Sequence, residues 1–386
     1  MRKNLLSALL LGSAMLVPSI AFAEAAPEAS AEPMAIAMPA ANQSNLEKVV
    51  AKMPEISGYI QTGYNFQDKN NTGKDENTSS FQLKRMRLII DSKLNDMFDI
   101  RAQFEMFSSS KDGNKKAVMT VMDAFVNMHI VPGLHFRAGQ FFLPVGFENY
   151  DISPATNEFV DFSNICYRMA CRNAIATPGI IDYGRDLGIM AYGDLFKNEN
   201  KNFYYLSYNL AFTNGQLPNM ADNDRSKDIT ARLTFRPVKN LRIIGSYQYG
   251  EYDTMIGGAK VENINLHRVV AGAWYNDPTG LTARTEWGYL KSMDTNLQEM
   301  GFYVMAGYHF GKWLPAARFE MYRDHYNKLA RTNKNNILLG VTYEPYKFFK
   351  FQFNYTMSMY TDDIKDSAMD HTDLGHQLQI MCIAKF

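Results

Sequence analysis

Phe349-Lys350-Phe351-Gln352-Phe353-Asn354-Tyr355-Thr356-Met357-Ser358-Met359 places a large apolar residue at every second position and a polar one between. Period 2 over this length is a β-strand with two chemically different faces. Strands of soluble domains average about 5–6 residues. A strand tilted across a bilayer needs about 9–11. The apolar face then meets lipid and the polar face is wet.

The same alternation, less clean, recurs at Ser57–Phe66, Leu83–Asp91, Phe98–Phe107, Met122–Ile130, Leu134–Phe141, Asp186–Tyr192, Tyr204–Phe212 and Ile229–Phe235. It continues at Leu241–Tyr249, His267–Tyr275, Leu281–Tyr289, Phe302–Phe310, Ala316–Arg323, Ile337–Tyr343 and Leu374–Phe386. With the first segment this predicts an all-β transmembrane antiparallel barrel of about 16 strands. An even count brings both ends to one side, as a closed bacterial barrel requires. The connections alternate in the same way. Tight turns are expected at Asn95-Asp96, Val131-Pro132-Gly133, Pro237–Asn240, Asp277–Gly280, Gly311–Trp313 and Pro345–Lys347. Longer links are expected at Asp68–Ser80, Ser108–Ala117, Asn214–Ser226, Glu251–Asn265, Lys291–Met300, Asp324–Lys334 and Asp362–Asp373. Short periplasmic turns and long outer loops are the barrel pattern.

Following the apolar parity to each strand end gives two aromatic belts. Phe235, Tyr275, Phe310, Tyr343 and Phe386 end strands at one rim. Tyr64, Phe66, Phe212, Tyr247, Tyr249, Trp287 and Tyr289 lie near the other. The chain contains 22 Tyr and 25 Phe but 3 Trp. Such girdles fit a bilayer slab. The terminal Phe386, with Leu378, Ile380, Cys382 and Ala384 on its face, has the form of a signal read by barrel-assembly machinery.

The N-terminus reads as a secretory signal peptide over 1–23. Arg2 and Lys3 precede an apolar run, and Ala21-Phe22-Ala23 offers small residues for cleavage. Residues 24–55 read as a flexible periplasmic leader rich in Ala, Pro and Glu, with a short helix at Asn45–Met53. The barrel is expected over 56–386. Lys plus Arg number 40 and Asp plus Glu number 40, so no overall charge draws nucleic acid. No enzyme signature stands out: a Gly-Lys-Ser/Thr loop, a G-x-S-x-G elbow and H-E-x-x-H are all missing. No cofactor or metal is expected.

With the apolar face outward, the inward face collects Arg85, Arg87, Arg101, Arg137, Arg232, Arg236, Arg242, Arg268, Arg284 and Arg318. Carboxylates share it at Asp99, Glu105, Asp123, Glu286 and Glu320. Two readings stand. The guanidinium fork suits phosphate and carboxylate, giving an anion path. Alternatively, arginines and acids brace the wall as ion-pair ladders. The link Phe142–Gly184 is too long to be an idle connection and is expected to fold inward and set a constriction. It carries Arg168 and Arg172 beside Cys166 and Cys171. These two cysteines could close a disulfide in an oxidising compartment. A zinc site would need further ligands. Cys382 falls on the lipid face.

Phe81-Gln-Leu-Lys-Arg-Met-Arg-Leu-Ile-Ile-Asp91 resembles the Arg-rich early strand of the phosphate-selective porin O and P family. Met122-Asp-Ala-Phe-Val126 and Arg137-Ala-Gly-Gln-Phe-Phe-Leu-Pro-Val-Gly-Phe-Glu148 are similar to its next landmarks, as are Gly184-Arg-Asp-Leu-Gly188 and Asn214-Gly215. The resemblance implies a sixteen-stranded Gram-negative outer-membrane porin, exported through the Sec pathway and assembled as a homotrimer. It also implies an inward third loop and uptake of small anions such as phosphate. Ladder roles carry over to Arg85 and Arg87, and more weakly to Arg137. The expected activity is passive diffusion of small hydrophilic solutes with an anion preference. The alternative is a barrel with a narrow or plugged lumen whose outer loops bind a ligand or partner.

Overall fold

The structure, a computed structural model, describes residues 53–72, 76–106, 119–171, 184–200, 202–216, 218–219, 222, 226–256, 259–325, 332–361 and 374–386. The expected signal peptide, the leader up to residue 52, and Arg172 lie outside these residues.

Sixteen strands follow one another in order. They are β1 (Glu55–Gln67), β2 (Thr78–Lys93), β3 (Phe98–Glu105), β4 (Thr120–Val131), β5 (Leu134–Phe142), β6 (Arg185–Asn198), β7 (Phe203–Thr213) and β8 (Asp228–Val238). The rest are β9 (Leu241–Ile256), β10 (Ala259–Asn276), β11 (Leu281–Ser292), β12 (Gln298–Tyr308), β13 (Trp313–Asp324), β14 (Lys334–Tyr346), β15 (Phe349–Tyr360) and β16 (Gly375–Lys385). Each pairs antiparallel with its sequence neighbours, and β1 pairs with β16 to close the barrel. The seam runs from Tyr59↔Lys385 to Gln67↔Gln377.

The inside-out chemistry is plainest on β15. Lys350, Gln352, Asn354, Thr356 and Ser358 are buried, whereas Phe353 is 43% and Tyr355 39% exposed. A soluble protein places these classes the other way round. In a bilayer the exposed residues meet hydrocarbon, and burial of the polar ones needs partners inside the barrel. Aromatic pairs band both ends. Trp313 stacks on Tyr343 at 4.2 Å and Tyr308 meets Phe310 at 4.7 Å near the short turns. Tyr64 meets Phe81 at 5.5 Å at the other rim.

Two strand features depart from simple alternation. The expected long link Glu251–Asn265 is instead mostly strand: β9 runs on to Ile256 and β10 begins at Ala259. β-Favouring residues such as Thr254, Ile256 and Val261 continue the ladder, and a register shift between Val261 and Ile264 absorbs the break in alternation. On β2, Gln61 faces Arg85 while Thr62 faces Leu83, so Lys84 is the extra residue of a bulge. A bulge re-aims side chains, and here it turns Lys84 inward beside Arg85.

The inverted polarity predicts a one-sided sensitivity. Phe353→Arg, near the middle of β15 on the lipid face, should destabilise the barrel by about 2–4 kcal/mol. Urea unfolding from lipid vesicles measures this, and a neutral effect would place that face against water.

Candidate functional site

The inward face is a set of matched charges. On β2 and β3, Arg87 Nε donates to Glu105 Oε2 at 2.9 Å. Arg101 forks Asp91 through Nε and Nη2 at 2.7 and 2.9 Å. Its partner is thus Asp91 across the pair, not the Asp99 or Glu105 of its own strand. Arg85 Nη1 donates to Gln61 Oε1 at 2.7 Å. On β6, Arg185 pairs with Asp123 at 2.5 Å and lies 3.5 Å from the Phe142 ring centroid. All but Arg101 among these arginines are buried.

Residues 143–171 supply a second layer of partners. After Leu143 the chain turns at Gly146, whose φ of 69° favours glycine. A Cβ there would sit 2.7 Å from Glu286 Oε1. The close approach lets the Phe147 N–H donate to that same oxygen at 2.5 Å. A helical turn over Phe147–Tyr150 then presents Glu148. Glu148 Oε1 lies 3.5 Å from Arg284 Nη2 and 3.3 Å from Arg318 Nη1. Arg284 also donates to Glu158 Oε2 at 2.9 Å and, through Nε, to the Tyr303 hydroxyl at 2.8 Å. That hydroxyl donates to Glu286 Oε2 at 2.7 Å.

The segment reaches many strands. Asp161 pairs with Lys84 on β2 and accepts from Gln379 on β16. Asn354 on β15 accepts from the Val160 N–H at 2.9 Å. Lys350 and Gln352 donate to the Asn157 carbonyl at 3.1 and 2.9 Å. A π-helical turn over Cys166–Ala170 carries Arg168, whose Nε donates to Glu299 Oε2 on β12 at 3.0 Å. Asp151 pairs with Arg232 on β8, and lies 3.5 Å from Arg242 on β9. Apolar contacts fill the gaps: Leu143, Val145, Phe159, Ile165 and Met169 cluster with Val270, Leu290, Tyr303 and Leu338 of the wall. Cys166 and Cys171 are buried and unbonded in this structure.

The segment's carboxylates respond to these cations. Burial would raise the Asp161 pKa, but the Lys84 charge and then Arg85 outweigh it and hold it far below the usual range. Burial acts likewise on Glu158, and the Arg284 charge overrides it. Burial alone would lower the pKa of Arg168, yet Glu299 keeps it above its ordinary value.

Other arginines are matched in part or not at all; buried Arg268 donates to Gln248 Oε1 at 2.9 Å and to the Tyr252 hydroxyl at 3.0 Å and meets no carboxylate among the described residues. Arg137, Arg236 and Arg242 are partly exposed. Arg137 Nε donates to Asn127 Oδ1 at 2.8 Å, and its guanidinium lies 4.0 Å from the Phe125 ring centroid. It meets no carboxylate among the described residues. Arg236 Nε has no hydrogen-bond partner. Arg242 stacks 4.0 Å over Trp274 and shares Asp151 with Arg232.

Alternation places Arg85, Arg87, Arg101, Arg137, Arg232, Arg242, Arg284 and Arg318 on one face; the structure buries Arg85, Arg87, Arg232, Arg284 and Arg318 and leaves Arg101, Arg137 and Arg242 partly exposed. It divides them into a buried, matched set and a half-open one. Sequence reading did not find Lys84, which alternation assigns to lipid, nor Glu148, Asp151, Glu158 and Asp161, which lie in an aperiodic stretch. The spacing of these acids carries no signal, because their partners lie up to 218 residues away.

A family model described as "Phosphate-selective porin O and P" matches residues 55–386. An uncharacterised protein of Aquifex aeolicus is 30% identical over 117 residues, which is 29% of this chain and spans only 27% of that relative. Among solved structures, the anion-selective porin of Comamonas acidovorans aligns at 15% identity with a TM-score of 0.63, covering 86% of this chain and 99% of that one. OmpF of Salmonella typhi, in complex with daunomycin, aligns at 12% identity and 0.63, covering 87% and 99%. The channel DcaP of Acinetobacter baumannii aligns at 13% and 0.56, covering 86% and 97%. These structural likenesses concern the fold.

Two outcomes test the matching. Glu148→Ala strips a shared carboxylate from Arg284 and Arg318. Removing one partner of a buried pair costs about 3 kcal/mol at the lower end, roughly a hundredfold faster amide exchange over residues 147–165. Wild-type exchange rates there would show that the pairing does not hold the segment. The depressed carboxylates also fix a pH window. Asp161 and Glu158 contribute stability that is fully present above the ordinary carboxylate range, about pH 4. It is lost as pH falls through their lower folded values. After correction for the intrinsic rate, loss of these two pairs should therefore appear as exchange of the segment that rises as pH falls below about 4.

Proposed function

The chain belongs to the phosphate-selective porin O and P family, and on that premise we propose that this Gram-negative outer-membrane porin passes small hydrophilic solutes with a preference for anions. The observation that carries the preference is the half-open group of Arg137 and Arg236, joined by Arg242, which has only a carboxylate shared with Arg232. A guanidinium locked to a carboxylate contributes little net field, whereas an unmatched one attracts anions. At 4 Å a full charge is worth about 1 kcal/mol even in water, about a fivefold change in local anion occupancy. Their forks suit tetrahedral phosphate as well as carboxylate. Arg85, Arg87, Arg284 and Arg318 then act chiefly as braces, with Arg168 as an anchor of the segment.

Residues 143–171 cross the lumen and form the constriction in this reading, supported by their contacts with β2, β8, β9, β11, β12, β13, β15 and β16. The same breadth of contact favours a second reading, a narrow or plugged barrel whose outer loops bind a ligand. The short turns face the periplasm, Phe386 serves barrel assembly, and the chain is exported through the Sec pathway after loss of residues 1–23. Subunits assemble as homotrimers; an OmpT of Vibrio cholerae with the same fold is described in a trimer form.

Planar bilayers under a KCl gradient separate the readings. An open anion path gives a reversal potential favouring chloride, and Arg137→Ala with Arg236→Ala and Arg242→Ala moves it toward potassium. Cation preference in the wild type removes the anion claim. Negligible current at any voltage favours the plugged barrel.

A further inference from the structure

The two cysteines of the inward segment are not used by the pore chemistry. Cys166 opens the π-helical turn and Cys171 follows it, and the Cys171 N–H donates to the Cys166 carbonyl at 2.8 Å. That bond ties the two residues together at the backbone, and both side chains enter one buried apolar cluster, the nearness a disulfide requires. The pair is 3% and 1% exposed and is packed with Phe147, Ile152, Phe162, Ile244 and Trp274. Cys382, the remaining cysteine, lies on β16, outside that cluster.

We propose that Cys166 and Cys171 are a built oxidation site, joined by a disulfide formed in the periplasm before the segment docks. Outer-membrane proteins traverse a compartment where disulfides form and persist. The oxidant is a disulfide of the periplasmic thiol-oxidising machinery. One cysteine thiolate attacks it, forming a mixed disulfide and expelling one thiolate of the oxidant. The second cysteine then attacks the mixed disulfide, the intramolecular S–S bond forms, and the other thiolate of the oxidant leaves. Two electrons and two protons pass from the cysteines to the oxidant.

Order matters. Once docked, the thiols are out of reach and burial pushes the Cys166 pKa up, leaving little thiolate to react. In the extended chain the two lie only five residues apart, so the ring closes readily. The ring encloses Arg168 and fixes the turn from which it reaches Glu299. The proposal rests on the outer-membrane placement and is independent of anion preference.

Alkylation of full-length protein purified from a Gram-negative periplasmic pathway tests it. In denaturant without reductant, one thiol should react, Cys382; with reductant, three should. Three without reductant overturns the proposal. Trypsin sharpens the assignment, because it cuts after Arg168 and Arg172. In the unreduced digest Met169–Arg172 should stay attached to Ala138–Arg168 and separate on reduction. A bond to Cys382 instead overturns the assignment. The folded barrel should keep its bond in reductant that breaks it in urea. Cys166→Ser with Cys171→Ser should speed amide exchange over 163–171 roughly tenfold, and unchanged exchange overturns the anchoring role.

Discussion

Hydrocarbon offers no hydrogen bonds, so every backbone N–H and C=O within the bilayer must find its partner inside the protein. The pairing of β1 with β16 is therefore the condition on which the whole architecture rests. An open sheet would leave two edges unpaired in lipid. Closure then forces the side chains into two populations with opposite solvents. Gln61 and Gln352, wholly buried, and Phe353 and Ile189, well exposed, follow from this single requirement.

Closure creates a second problem in the interior. A polar wall is tolerable when wet, but residues 143–171 pack against several of its buried cations. The cations buried there need polar partners, carboxylates above all, because an unpaired buried charge is far costlier than a matched one. Glu148, Asp151, Glu158 and Asp161 meet that need for Arg284, Arg318, Arg232 and Lys84. The acids of the segment are thus coupled to the arginines of the strands. Removing either set leaves the other as uncompensated buried charge.

Alternation made the strands legible, since each carries its own period and needs no knowledge of its neighbours. It also fixed which arginines face inward. It failed where a local irregularity breaks the count. The bulge at Lys84 adds one residue and moves a cation from the lipid face to the lumen. At 251–265 polar residues give the pattern of a loop, although a strand that rises beyond the bilayer has no reason to keep an apolar face. The partners of Arg284 were illegible for a different reason. Glu148 and Glu158 sit in a segment without period, and only the closed barrel brings them within 3.5 Å.

A row of arginines on one face is therefore a poor measure of the field inside a pore. Arg101 and Arg137 are both partly exposed and lie on nearby strands, yet Arg101 is forked by Asp91 while Arg137 rests on Asn127 and two rings. The first bond leaves little charge for a passing ion. Aromatic faces and a neutral amide leave the second guanidinium with its net charge. Arginine suits both roles because its planar fork can brace a carboxylate or stack on a ring with its donors still free at the edge. Substitutions among the matched arginines should act on structure first. Those among the unmatched ones should act on selectivity, because only there does removing a charge leave no orphaned acid behind.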